Sequence, residues 1–331
     1  MIKPAHLKIG DNIGIVSPSS TIKDFNRRFN RGILALKKMG LNPIIGKNAK
    51  KKNGYTSGTP EERASDINYF FKDKTIKAII CSTGGNNSNS IISLLDYNLI
   101  KKNPKIFCGF SDITAINIAI FKKTKMVTFN GPTVLPTFGE FNIHKFSVKW
   151  FKKVLFKNKI IGNINYPKKF TDEFLLWDKE DNRERKTKIS KKPKFLLSKN
   201  VKGILIGGNL STLCLLGGTK FFPNFKNSIL FLEEDSKNIS EIEAKLVYLE
   251  QLEVFKKIKG LLFGRGSIID SEHNKKIFYD ILINFGKKYN IAIIVDVDCG
   301  HTSPLITFPL GIHIFLNGDK KQISFLDSAV Y

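Results

Sequence analysis

Residues 105–124, KIFCGFSDITAINIAIFKKT, change their hydrophobic period halfway along. Lys105 to Phe110 is a short apolar run of the kind that forms a buried strand, and Ile113, Ile116 and Ile120 then recur at helical spacing. Ser111 stands at the joint. A serine there has its hydroxyl lifted off a sheet and its backbone next to a helix N-terminus. Free N–H groups and the helix dipole both favour developing negative charge at such a point, which suits a nucleophile. It suits a cap equally well, with Ser111 or Asp112 accepting from the first helical turn. This segment alone leaves both readings open.

Upstream, the same alternation repeats. NIGIVS reads as a strand, FNRRFNRGILALKKMG as a helix stopped by Gly40, and LNPII as the next strand. TPEERASDINYFF opens with Thr59, Pro60 and Glu62, a capping box with proline at the first helical position. IKAIICS is a strand running into the loop TGGNN, NSIISLLDYNLI is helical, and MVTFN closes the series as a strand. Such repetition predicts an α/β fold with a doubly wound, mostly parallel sheet over residues 1–135. Active sites in these sheets lie at the carboxyl ends of the strands, where both TGGNN and Ser111 fall.

Residues 136–200 lose this rhythm, and TDEFLLWDKEDNRERKTKISKKPK within them reads as a long exposed excursion. From about Val201 a second, smaller, β-rich α/β domain over 201–331 is expected, with GILIGGN, SILFLEE, IKGLLFG and IAIIVDV as short strands. One helix stands out there, SEIEAKLVYLEQL, with Ser240 as its expected cap and Ile242, Leu246 and Leu249 as its buried stripe.

Composition narrows the class. At 331 residues the chain is long enough for two domains and a sizeable core. No apolar run reaches the roughly 20 residues needed to span a bilayer, and the first residues lack the apolar core of a signal peptide. A cytoplasmic location without membrane contact is expected. Cys81, Cys108, Cys214 and Cys299 lie far apart and read as reduced thiols. The five histidines show no metal-ligand spacing, so no metal or other cofactor is expected. The net charge of +25 would suit nucleic acid, yet the basic residues are dispersed and no recognition motif accompanies them. Compositional drift on a tolerant surface is the simpler account, and no specific nucleic-acid partner is expected.

A serine nucleophile needs a base and a group to orient it. His301, in VDVDCGHTSPLITFPLG, follows a strand end in a glycine-containing turn and is the candidate base. Glu233, Glu234, Asp296 and Asp298 are the candidate acids, and spacing does not choose among them. Gly84 and Gly85 could open the backbone to an oxyanion. They could also cradle phosphate, although the loop matches neither the dinucleotide nor the P-loop pattern.

Several motifs in order, GGNNSNSIISLLDY, GFSDITAINIAIFKKTKMVTFNGP, GILIGGNLSTL, SILFLEEDS, IKGLLFGR and CGHTSPLITFPLG, resemble the LD-carboxypeptidase family of serine peptidases. The resemblance covers almost the whole chain. It implies a Ser–His–Glu triad of Ser111, His301 and Glu233, acting on a C-terminal amide-type bond, in a homodimer. Asp112 and Gly85 would supply oxyanion-hole N–H groups, with Gly84 beside them. Thr83 stands where the murein-recycling members usually show arginine before the double glycine. The form seen here, with TDEF and a nearby tryptophan, looks like the microcin C immunity branch, whose substrates are peptide–nucleotide conjugates. Phe174 or Trp177 would then stack on the base, from a mobile segment folding over the ligand. A murein tetrapeptide is the alternative substrate, and a non-catalytic basic nucleotide- or nucleic-acid-binding protein is the alternative from another class.

Overall fold

The computed structural model describes residues 1–235, 238–266 and 272–331. Its first part alternates β1 (Asn12–Val16), α1 (Asn26–Lys38), β2 (Asn42–Ile45), α2 (Pro60–Lys72), β3 (Ile76–Cys81), α3 (Tyr97–Lys102), β4 (Ile106–Cys108), α4 (Thr114–Thr124) and β5 (Thr128–Asn130). Thr59 and Glu62 form the reciprocal capping box at the start of α2. Gly40 follows α1 at φ +88°, the left-handed residue that ends a helix. Residues 88–102 are less regular than the continuous helix expected. Ser88–Leu94 is 3₁₀, and Leu95 turns extended before Asp96 caps α3.

A middle segment carries α5 (Lys145–Leu155) and the short strands β6 (Gly162–Asn163), β7 (Lys169–Phe170), β8 (Lys188–Ile189) and β9 (Lys194–Leu197). The last part holds β10 (Val201–Asn209), α6 (Leu210–Cys214), β11 (Ser228–Glu233), α7 (Ile239–Gln251), β12 (Ile258–Gly264), α8 (Glu272–Tyr289), β13 (Ala292–Val297), β14 (Phe308–Leu310), β15 (His313–Asn317) and β16 (Gln322–Phe325). Helix α7 buries Ile242, Leu246 and Leu249, but its cap is Asn238, whose side chain accepts from the Glu241 N–H. Ser240 lies inside the helix and donates to Asn238, so the cap expected on Ser240 does not form. Ser236, the end of the SILFLEEDS motif, lies outside the described residues.

Two large sheets result. The first runs β14-β5-β4-β3-β1-β2, parallel throughout except for β14. The second runs β6-β16-β15-β10-β11-β12-β13-β9, with β10 to β13 parallel and the flanking strands antiparallel. Strand β14 is contributed by the far end of the chain, from the segment assigned above to the second domain. One continuous hydrophobic core serves both sheets, and phenylalanines are prominent in it, among them Phe29, Phe71, Phe107, Phe231 and Phe263.

Residues 171–194 are mostly exposed, as their composition suggests, but the middle segment that carries them is anchored to the fold. Trp150, Phe151, Val154 and Leu155 of α5 are buried, and so are Thr171, Leu175 and Asp181. Phe25 precedes α1 and offers no side-chain oxygen for its free N–H groups. Asp178 does so from the middle segment, accepting from the Arg27 and Arg28 N–H groups, each at 2.8 Å. Asp181, whose side chain is 2% exposed, pairs with Arg28 at 2.8 Å, with Arg27 at 3.3 Å, and with Arg31. Burial pushes the Asp181 carboxyl up, but the hydrogen bonds from Arg28 and Arg31 outweigh that and hold it below its ordinary 3.8. Its stabilisation is therefore present above that ordinary value and lost as pH falls through the lower folded one. Asp181→Ala leaves the buried Arg28 without its main counter-charge and should cost about 3 kcal/mol or more. Urea unfolding at neutral pH measures this, and an unchanged midpoint would show that the cluster is not what anchors the segment.

Candidate active site

The site is built where β4 ends. Ser111 sits at φ +64°, in the left-handed region, and begins a single 3₁₀ turn, Ser111–Ile113, that leads into α4. A non-glycine residue held there is strained, and the sharp reversal lifts its side chain off the sheet. Neither Ser111 nor Asp112 caps a helix with its side chain. The cap reading of this serine therefore fails. The Asp112 side chain turns inward instead, where its carboxylate accepts from Ser19 and from the Ser88 N–H.

The end of the neighbouring β3 comes very close. A Cβ on Gly84 would stand 2.8 Å from the Ser111 Cβ and 3.1 Å from its Oγ. Gly85 has φ +125°, and a Cβ there would lie 1.8 Å from Ser20 Oγ. A side chain at Gly84 would fill the space against Ser111, and one at Gly85 would collide with Ser20 and Ser19. The Gly85 and Asp112 N–H groups find no protein acceptor among the described residues.

His301 arrives from the second sheet, in the segment after β13. Its Nε2 is 3.0 Å from Ser111 Oγ, and its Nδ1 is 2.6 Å from Glu233 Oε2. Glu233 is the fully buried last residue of β11. In the neutral ring these two bonds fit one tautomer, in which Nδ1–H donates to the carboxylate and Nε2 accepts from the hydroxyl. The ring also packs edge-on to Phe110, with centroids 5.2 Å apart. Burial pulls the His301 pKa down, but the Glu233 carboxylate overrides it and leaves the imidazole at about 9. Chemically, this constellation can remove a proton from a hydroxyl and hold the resulting imidazolium.

The other candidate acids are engaged elsewhere. Glu234 accepts from the Ser211 side chain and N–H and from Asn209 at the start of α6. Asp298 pairs with Arg265 at 3.1 Å, with its carboxyl pushed up to about 6 by burial. Asp296 accepts from Tyr279 at 2.7 Å. Among the described residues no cluster of three or more His, Cys, Asp or Glu could hold a metal ion.

Ser111 and His301 open on a cavity of about 600 Å³. Trp177 and Phe174 form part of its wall, on the side of α1. Trp177 meets Phe25 edge-on at 5.3 Å and Phe174 at 6.3 Å, and the Arg28 guanidinium lies 5.0 Å from its ring centre. Phe174 is 68% exposed. Trp177 is half-buried against α1. Arg28 and Arg185, absent from the sequence reading, line the same cavity. Arg185 donates to the Glu173 carbonyl at 3.1 Å and also contacts Glu140 and Ser303. In sequence it belongs to the charged run NRERK, and no local signal separates it from a solvated loop.

Comparison with known proteins identifies the family. The profile of the LD-carboxypeptidase N-terminal domain matches residues 13–131, and that of the C-terminal domain matches residues 202–316. The microcin C7 self-immunity protein MccF of Escherichia coli is 35% identical over 97% of this chain and 94% of its own. A putative carboxypeptidase of Vibrio cholerae is 30% identical over 99% of this chain and 98% of its own. The solved structure of MccF in complex with aspartyl sulfamoyl adenosine superposes with a TM-score of 0.93, at 34% identity, covering all of both chains. The chain belongs to the LD-carboxypeptidase family and is a serine-type carboxypeptidase.

Proposed function

We propose that this carboxypeptidase cleaves peptide–nucleotide conjugates of the microcin C type, at the amide-type bond between the terminal amino acid and the modified nucleotide. Ser111 is the nucleophile, His301 the base and Glu233 the acid that orients it. The reading rests on one observation above all. The Ser111 hydroxyl, 3.0 Å from His301, faces a cavity that is large enough for a nucleoside and walled by Trp177 and Phe174. The MccF complex with aspartyl sulfamoyl adenosine supports the substrate class.

In the first half-reaction Ser111 Oγ bonds to the carbonyl carbon while its proton passes to His301 Nε2. Glu233 holds the Nδ1 proton and balances the imidazolium charge. The N–H groups of Gly85 and Asp112 receive the oxyanion, a contribution on the order of 3–4 kcal/mol for each donor. Collapse breaks the scissile bond, and His301 returns the proton to the leaving nitrogen. Water then attacks the acyl-serine and gives its proton to His301, which passes it back to Ser111 Oγ as the ester C–O bond breaks and the free carboxylate is released. The proposal includes a cytoplasmic location and a homodimer. No described helix is long and apolar enough to cross a membrane, and sedimentation would report twice the 37.4 kDa chain mass for a dimer.

Mass spectrometry of the products from aspartyl sulfamoyl adenosine and from a murein tetrapeptide tests the substrate class. The conjugate should be cleaved and the tetrapeptide should not. Stacking on a nucleobase is worth about 1–3 kcal/mol, so Trp177→Ala should slow conjugate cleavage by about ten- to a hundredfold. Preferred cleavage of the tetrapeptide would establish the murein alternative. Cleavage of neither would favour the non-catalytic one.

A pH profile tests the base. His301 must be neutral to accept a proton, and its pKa lies near 9. The kcat/KM should therefore rise with pH through an ionisation well above the 6.5 of a free imidazole. Glu233→Gln removes the charge that raises this value, so the rising limb should move to lower pH while activity falls. A limb at 6.5 or below in the unaltered enzyme would contradict the pairing.

A further inference from the structure

Asp112 has no part in the relay described above through its side chain, yet its carboxylate sits at the centre of the loops that frame Ser111. The residue is 4% exposed, and neither Ser111 nor His301 is among the partners of its carboxylate. Its Oδ2 accepts from Ser19 Oγ at 2.5 Å and from the Ser88 N–H at 2.8 Å. Ser88 Oγ donates back to the Asp112 carbonyl. Ser19 and Ser88 are both fully buried. The three residues come from three loops, those after β1, β3 and β4, and these strands are neighbours in the sheet. Arg63 braces two of the loops from behind, donating to the Pro18 carbonyl at 2.7 Å, the Asn87 carbonyl at 3.2 Å and Ser90 Oγ at 3.0 Å.

The consequence lies in the backbone. Ser20, next to Ser19, donates its N–H to the Gly84 carbonyl at 3.2 Å. In a trans peptide the C=O and the following N–H point opposite ways. Anchoring the Gly84 carbonyl on Ser20 therefore turns the Gly85 N–H away from Ser20. Ser19 holds the Ser20 backbone in place, and Asp112 holds Ser19.

We infer that the Asp112 carboxylate is a positioning group. It ties the β1 and β3 loops to the nucleophile turn and so sets the spacing of the Gly85 and Asp112 N–H groups that receive the oxyanion. The inference rests on the reading of Ser111 as nucleophile. It adds a role for a side chain which that reading uses only through its backbone.

The test compares kcat and KM for aspartyl sulfamoyl adenosine in four variants. Removing a single oxyanion donor typically lowers kcat about 10²–10³-fold. Asp112→Ala should accordingly lower kcat by about 10²-fold with KM within about threefold, because the oxyanion exists only in the transition state. Asp112→Asn keeps an oxygen for Ser88 and should restore kcat to within about tenfold of the unaltered enzyme. Ser19→Ala removes one arm only and should lower kcat about five- to tenfold at unchanged KM, on the scale of one hydrogen bond. That variant decides the matter if Asp112→Ala does not fold. Unaltered kcat in Asp112→Ala or in Ser19→Ala would overturn the inference, as would Asp112→Asn being as slow as Asp112→Ala. Ser111→Ala is the control. If it keeps its turnover, the nucleophile reading falls. If it is inactive while Asp112→Ala and Ser19→Ala are unaffected, only the positioning role falls.

Discussion

The antiparallel pairing of Phe308–Leu310 with Thr128–Asn130 stitches the last third of the chain onto the edge of the first sheet. The placement of His301 depends on that stitch. β13 ends in the second sheet at Val297 and β14 begins in the first at Phe308, so the residues between them must cross from one to the other. His301 rides on this crossing. Asn130 donates to the Cys299 carbonyl at 3.3 Å, Leu305 donates to Ser147 at 2.9 Å, and Thr171 and Ser303 exchange backbone bonds at 2.7 and 2.9 Å. Pro309 lacks an N–H to donate and is tolerated because β14 is an edge strand. With the crossing pinned at several points, a histidine 190 residues from its serine can be held at 3.0 Å without wandering.

Local strain and buried charge are tolerated because rigid elements surround them. A left-handed Ser111 costs on the order of 1–3 kcal/mol, and it persists because the fully buried Ile113, Ile116 and Ile120 fix the helix that follows. Glu233 sits behind His301 with no exposure, so its charge acts through a poorly screening interior rather than through water. The same logic holds at the far wall. Trp177 packs on Phe25 and Arg28, and Asp178 and Asp181 beside it tie the loop to α1.

What the sequence reveals divides along the same line between local and distant. The β/α alternation, the Thr59 capping box and the stop at Gly40 are local signals, and each appears in the fold as read. Ser240 misleads because Asn238, two residues earlier, offers an equally good cap oxygen. Phe308–Leu310 is too short and too distant from β5 to announce which sheet it joins. The excursion around Trp177 looks solvated because its anchors, Asp178 and Asp181, find their arginines about 150 residues away. At the site, the family resemblance implies Ser111, Glu233 and His301, and the fold brings all three within hydrogen-bond reach. The choice of Glu233 over Glu234 is invisible to spacing. It depends on which way two adjacent side chains point at the end of β11.

The central claim is that His301 activates the Ser111 hydroxyl as a nucleophile. Reaction with an aryl fluorophosphonate, followed by intact-mass and peptide-map spectrometry, tests it most directly. Phosphonylation replaces fluoride at phosphorus with the attacking oxygen, so it reports the nucleophile without assuming a natural substrate. The account predicts a single adduct on the peptide containing Ser111, and its loss in His301→Ala. An adduct on another residue, or equally fast labelling of Ser111 in His301→Ala, would contradict it.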